Sequence, residues 1–253
     1  MLTIFSTPKP FKGKFKIIQR NAITSWTKLW PQCEIILFGQ EEGTAEICRA
    51  LNLIHVPKVK TNEYGTPLLN DMFEQAQRMA SNYLMCYVNA DIILLSNFVR
   101  AILAINKRRF LAIGQRLNVD IDWEIDFSKA NWDEELLQYA LKNGRWLQPT
   151  GMDFFVFNKG LYQKLPGLAI GRTWWDPFLV YQAKIQCVPI VDITQESPVI
   201  HCNHDYSHHP QGYKGIWEGP ESEHNRCLCM GKCLNITNAD WKVKDGKLVS
   251  VWR

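Results

Sequence analysis

Three short stretches of this chain carry residues fit for chemistry. The first is Asn89-Ala90-Asp91, which directly follows the apolar run Leu84 to Val88. A carboxylate at that point is a hard oxygen donor, suited to a divalent ion such as Mg2+ or Mn2+ bridging a diphosphate. The competing reading is that Asp91 caps the next turn or helix. The second is a late histidine group: His201, His204, His208, His209 and His224 are five of the six in the chain. His201 or His204 completes a metal site with Asp91 if folding brings them together, imidazole being the commonest nitrogen ligand. Cys227, Cys229 and Cys233 offer a structural zinc alternative, but their spacing lacks the paired two-residue separation of a zinc ribbon. A hydrogen-bonded surface loop accounts equally for any single histidine. The third stretch is Gly171-Arg172-Thr173-Trp174-Trp175-Asp176, a carboxylate beside two indoles. Burial there raises a pKa toward that of a working base, and aromatic faces are the usual stacking partners of sugar rings. Core packing and helix capping explain the same residues without function.

Positioning these groups requires an ordered scaffold. Leu84 to Val88 has no helical stripe and reads as a central strand buried on both faces. Asp91 therefore emerges near a strand's carboxyl end, where open α/β sheets place their ligands. Leu2 to Phe5, Glu34 to Phe38 and Leu53 to Val56 predict the other strands of the first half. Between them, Phe15, Ile18, Ala22, Ile23, Trp26, Leu29 and Trp30 fall at helical spacing over Lys14 to Trp30. Thr44 to Leu51 predicts a short helix, and Leu69, Met72, Phe73, Ala76 and Met79 line one side of another. Strands separated by helical patterns imply right-handed crossovers and a mainly parallel sheet flanked by helices. Beyond Asp91 the pattern is less regular. It predicts helices over Ser96 to Lys107, Glu134 to Leu141 and Trp174 to Ala183, and strands at Phe110 to Gly114, Met152 to Phe157 and Val188 to Ile193. The segment 210–253 is loop-rich, and Trp217, Glu218 and Asn225 within it read either as a lid over a ligand or as a packed appendage.

Composition narrows the classes. A chain of 253 residues with 46% hydrophobic content is an ordinary globular protein, not a disordered one. The net charge of +4 comes from scattered Lys and Arg, which gives no expectation of nucleic-acid binding. Lys9 to Lys14 and Lys107 to Arg109 are the small concentrations; such clusters are usually solvated surface, and they also suit a phosphate-rich ligand or peripheral contact with an anionic membrane face. No apolar span of about 20 residues exists to cross a bilayer, and Met1 to Pro8 does not read as a signal peptide. Single, buried-looking thiols such as Cys33, Cys86 and Cys187 point to a reducing cytoplasm rather than a disulfide framework.

An ordered set of motifs then adds a resemblance. Phe5-Ser6-Thr7-Pro8, Asn21 to Trp26, Glu34 to Gly39, Thr66 to Asp71 and Tyr87 to Asp91 resemble the nucleotide-sugar-binding half of GT-A-type, family 2-like glycosyltransferases. Gly151 to Phe157 and Trp174-Trp175-Asp176 resemble the acceptor half. The resemblance implies a Rossmann-like α/β fold in one domain: residues 1–95 bind the nucleotide sugar, 96–209 form the acceptor side, and 210–253 are an extension. Asn89-Ala90-Asp91 stands in place of the family's Asp-x-Asp motif, with a neutral residue for the first acid. By the same resemblance Thr7, Glu41, Asn70, Asn89 and Asp91 contact the donor, and Asp153, Trp174 and Trp175 contact acceptor or sugar. Asp91, His201 and His204 hold Mn2+ or Mg2+, and Asp176 is the general base of an inverting transfer from a nucleotide-diphosphate sugar to an acceptor hydroxyl. Two other classes stay open: a nucleotidyltransferase acting on a sugar phosphate, though no Gly-rich phosphate loop is visible, and a non-catalytic carbohydrate- or metal-binding protein.

Overall fold

The computed structural model describes residues 1–205 and 211–251; His208 and His209 lie outside the described residues. Strands β1 (Leu2–Ser6), β2 (Glu34–Phe38), β3 (Ile54–Val56) and β4 (Leu84–Val88) form at the stretches expected to be strands. They pair in parallel in the order β3-β2-β1-β4. Helices α1 (Lys14–Thr27), α2 (Thr44–Leu51) and α3 (Leu69–Met79) supply the crossovers. Two residues of the predicted helical stripes fall outside the core. Trp30 is 82% exposed because α1 ends at Thr27, and Met79 is 41% exposed at the last turn of α3.

The remaining strands are β5 (Ile92–Ile93), β6 (Leu111–Ile113), β7 (Arg116–Val119), β8 (Arg145–Trp146), β9 (Phe154–Asn158), β10 (Ile190–Asp192), β11 (Val199–Cys202), β12 (Trp241–Lys244) and β13 (Lys247–Ser250). The main sheet continues from β4 through β9, β6, β10, β12 and β13. β9 runs antiparallel to both β4 and β6, the break in an otherwise mainly parallel sheet before its closing hairpin. A second, smaller sheet has the order β5-β11-β7-β8. Helices α4 (Phe98–Leu103), α5 (Trp132–Asn143), α6 (Trp175–Ile185), α7 (Gly212–Trp217) and α8 (Pro220–Cys229) complete the fold.

Hydrophobic clusters on the two faces of the main sheet fix the strand ends. On one face Phe5 meets Phe73 edge-on at 5.0 Å between ring centroids, and Phe73 stacks on Phe157 at 5.6 Å. Pairs of this kind add about 0.5–1.5 kcal/mol each beyond area burial. They anchor β1, α3 and β9 around β4, which leaves little freedom to the backbone that carries Asn89 and Asp91.

Candidate active site

At the carboxyl ends of β1, β2 and β4 lies a cleft of about 1090 Å3. Thr7 and Lys9 line it from the loop after β1, Glu41 from the turn after β2, and Tyr87, Asn89 and Asp91 from the end of β4. The turn after β2 needs a glycine at 43: that residue sits at φ +89°, and a Cβ there would lie 2.6 Å from the Phe11 Cβ.

The smaller sheet determines what meets Asp91. β11 pairs antiparallel with β5, His201 opposite Ile92, and the Cys202 N–H donates to the Asp91 carbonyl at 3.3 Å. Two short strands thereby lay His201 and His204 beside the carboxylate. His204 Nε2 is 3.0 Å from Asp91 Oδ2 and His201 Nε2 is 3.9 Å from it. His204 Nδ1 donates to the Asp205 carbonyl at 2.8 Å, so Nε2 is the atom turned to the acid. Asp91, His201 and His204 each offer a ligand atom, all within 4.8 Å of one another. Among the described residues, Asp91 Oδ1 and His201 Nδ1 are buried without a hydrogen-bond partner, the condition expected of groups waiting for a ligand. Burial works against the charge of Asp91, yet the His204 hydrogen bond, the nearby His201 ring and the charge of Lys9 outweigh it and hold the carboxyl well below its ordinary range. Burial, with Arg116 nearby, pushes His201 down to about 3, so it presents a neutral imidazole. One carboxylate oxygen and two imidazole nitrogens fit a divalent cation.

A second polar network lies behind the first. Asn89 Nδ2 donates to Asp153 Oδ1 at 2.8 Å, and its Oδ1 accepts from the Tyr87 hydroxyl at 2.8 Å. Arg116 Nη1 donates to the same Asp153 oxygen at 2.6 Å. Asn89 thus uses its side chain inward, and the neutral amide has a physical reason: an acid at 89 would set a carboxylate against Asp153 where a donor now stands. Asp176, at the start of α6, belongs to this neighbourhood. Its burial and the negative charge of Asp153 raise its pKa well above the ordinary carboxylate value. Trp175 is buried edge-on against Tyr87 at 5.3 Å, which ties the start of α6 to the end of β4.

No protein-family model matches the chain, and a search of curated proteins finds no match. Solved structures do match. S. aureus TarS 1-349 in complex with UDP superposes with a TM-score of 0.57 at 13% identity, covering 94% of this chain and 66% of that one. The same fragment in complex with UDP-GlcNAc gives 0.54 at 12% identity, and there the match takes in 80% of this chain and only 58% of TarS. Glucosyl-3-phosphoglycerate synthase from Mycobacterium tuberculosis, in complex with Mg2+ and UDP, gives 0.53 at 11% identity, covering 92% of this chain and 79% of that one. The fold is GT-A.

Within this GT-A fold the residues singled out from the sequence divide into three groups. Thr7, Glu41, Asn89 and Asp91 line the cleft, and His201 and His204 join Asp91. Asp153, Trp175 and Asp176 are gathered behind the cleft around Tyr87 and Asn89. Asn70 is absent from the cleft lining, its Oδ1 buried near Gly167 without a partner, and Trp174 packs against the core beside α6 rather than lining the cleft. Of the late residues read as a lid or a packed appendage, Asn225 is fully buried and Trp217 is 47% exposed, and β12 and β13 extend the main sheet. Lys9, read from the sequence as part of a small basic cluster that is either solvated surface or suited to a phosphate-rich ligand, has its ammonium in the cleft 4.6 Å from the centre of the Phe15 ring. Burial lowers the Lys9 pKa, Asp91 holds it up, and Arg172 and Arg116 press it down again. The sequence reading assigned no role to Arg172, a cleft residue paired with the buried Glu221 of α8 at 2.6 Å. The signal was there: Arg172 stands inside the motif that ends in Asp176.

Proposed function

We propose that the chain is a glycosyltransferase that moves a sugar from a nucleotide-diphosphate donor to an acceptor hydroxyl with inversion at the anomeric carbon. One observation carries the reading: three ligand-bearing side chains meet at Asp91, which lines a nucleotide-sized cleft on a GT-A scaffold, and among the described residues two of them have buried atoms without a partner. Asp91, His201 and His204 would hold Mn2+ or Mg2+. When bound, the ion supplies positive charge to neutralise a diphosphate leaving group. Lys9 and Arg172 add fixed cations along the same cleft, and cations arranged in advance stabilise developing negative charge without reorganising. Thr7 and Glu41 sit where the nucleoside would enter.

Asp176 is the general base in this reading. Asp153 is committed to Arg116 and Asn89, whereas Asp176 has a raised affinity for a proton and is the acid suited to take one from the acceptor hydroxyl. The acceptor oxygen attacks the anomeric carbon, its proton passes to the Asp176 carboxylate, and the bond to the diphosphate oxygen breaks with the electron pair leaving on the nucleoside diphosphate. All eight cysteines are free thiols, in keeping with a reducing, cytoplasmic setting.

The test is release of nucleoside diphosphate from a panel of UDP-, GDP- and other nucleotide sugars, with and without Mn2+. Release that requires the ion and falls in His201→Ala supports the proposal. Turnover of nucleoside triphosphate with sugar phosphate instead would reassign the chain as a nucleotidyltransferase, and sugar or metal binding with no turnover would make it a binding protein.

A further inference from the structure

Helix α8 carries none of the residues to which the proposed transfer assigns a role, yet its side chains bond in sequence along the backbone leading into Asp176. Asn225 Oδ1 accepts from the Ala169 N–H at 2.8 Å, and its Nδ2 donates to the carbonyls of Ala169 and Thr173, both at 3.0 Å. The Ser222 hydroxyl oxygen accepts from the Thr173 N–H at 3.2 Å. Glu221 takes the Arg172 guanidinium at 2.7 Å. The Cys229 thiol lies 3.6 Å from the Trp174 carbonyl, and just beyond α8 the Leu234 N–H donates to the Pro177 carbonyl at 3.1 Å.

What these contacts hold is a segment in an unfavourable backbone conformation. Gly171 has φ +73° and Trp174 φ +81°. A tryptophan in the left-handed region persists only where its surroundings over-determine it. The surroundings here are α8. Asn225 is 0% exposed and its amide meets the backbone of Ala169 with both donor and acceptor, as a neighbouring strand would. One side chain thereby does for this turn what a sheet does for β4.

We infer that Asn225 is a positioning residue for transfer: through Thr173 and the turn at Trp174 it sets where the Asp176 carboxyl stands relative to the cleft. The inference rests on the reading of Asp176 as general base. It assigns to Asn225 the role of fixing the acceptor side. α8 meets the cleft through the bond of Glu221 to Arg172, and Asn225 bonds neither of these residues, so donor and ion binding should not depend on Asn225.

The experiment compares wild type with Asn225→Ala, Ser222→Ala and Cys229→Ala, measuring Kd for UDP and GDP with Mn2+ by calorimetry, kcat for transfer, and the thermal midpoint. In the folded Asn225→Ala protein kcat should fall about 10- to 100-fold, the loss expected of a small displacement of a reacting group, with Kd for the nucleoside diphosphate unchanged. Ser222→Ala and Cys229→Ala, each removing one bond to the segment that leads into Asp176, should show the same split with smaller losses. They decide the matter if Asn225→Ala does not fold. Unchanged kcat in the folded variants, or kcat and Kd falling together, overturns the inference. A wild type that neither binds nor releases a nucleoside diphosphate overturns instead the glycosyltransferase reading beneath it.

Discussion

Asp91 and Asp176 are both acids brought near one cleft, and their surroundings push them in opposite directions. Asp91 is largely enclosed, yet a hydrogen bond from His204, the nearby His201 ring and the charge of Lys9 keep it ionised. Asp176 is partly buried, near another acid, Asp153, and favours its proton. Two carboxyls with affinities driven apart are suited to two tasks, one to hold positive charge and one to carry a proton. The contrast is set by neighbours, not by the acids, since both side chains are the same.

The comparison can be broken most directly at Asp176. Asp176→Asn keeps the shape of the carboxyl but cannot accept a proton, and the proposal predicts a loss in kcat of about 100- to 10,000-fold with donor binding retained. Near-normal transfer by this variant would remove Asp176 from the role of base. Asp91→Asn should do the reverse, weakening Mn2+ binding by about tenfold or more, which is about 1.4 kcal/mol, and its measurement by calorimetry needs no acceptor.

The smallest expected effect concerns stability against pH. The folded state binds the Asp176 proton more tightly than the unfolded chain, whose ordinary value is 3.8. As pH rises through that value and on through the higher folded one, the native state must give up or pay for a charge that the unfolded chain carries freely, so stability declines over that window. Asp176→Asn should therefore gain thermal stability relative to wild type as pH is raised from about 4 toward 7, by about 1 kcal/mol for each pKa unit of the shift. A constant difference across that range would mean that the carboxyl is solvated and ordinary.

The early strands are legible because each is a short, largely apolar stretch without helical spacing, and the helices between them because their buried residues recur at helical spacing. Where legibility failed, the reason is physical. β7 alternates as Arg116-Leu117-Asn118-Val119 and β11 includes His201, so neither reads as a buried run although each packs with apolar side chains inward. β5 is two residues long and exists only because β11 is there to pair with it. The closing hairpin had a usable sign: Asp245-Gly246, with φ +51° and +68°, between alternating Trp241 to Lys244 and Lys247 to Ser250. In the site, the acid and imidazoles were legible as candidate ligands by type, and Asp176 as a candidate base by its indole neighbours. Asn89 was read as a donor contact, but its bonds to Tyr87 and Asp153 depend on the antiparallel pairing of β9 with β4, which no local pattern announces. Lys9 and Asn225 are single polar residues whose burial is decided wholly by tertiary packing.

The short pairing of β5 with β11 has a thermodynamic consequence. It recruits the ion's ligands from distant parts of the chain, so an ion that binds only the closed arrangement must also oppose its opening. Loading with metal should then couple the late segment to the early strands as a molecular clasp does, and the temperature of unfolding should climb with free ion concentration and drop back on chelation.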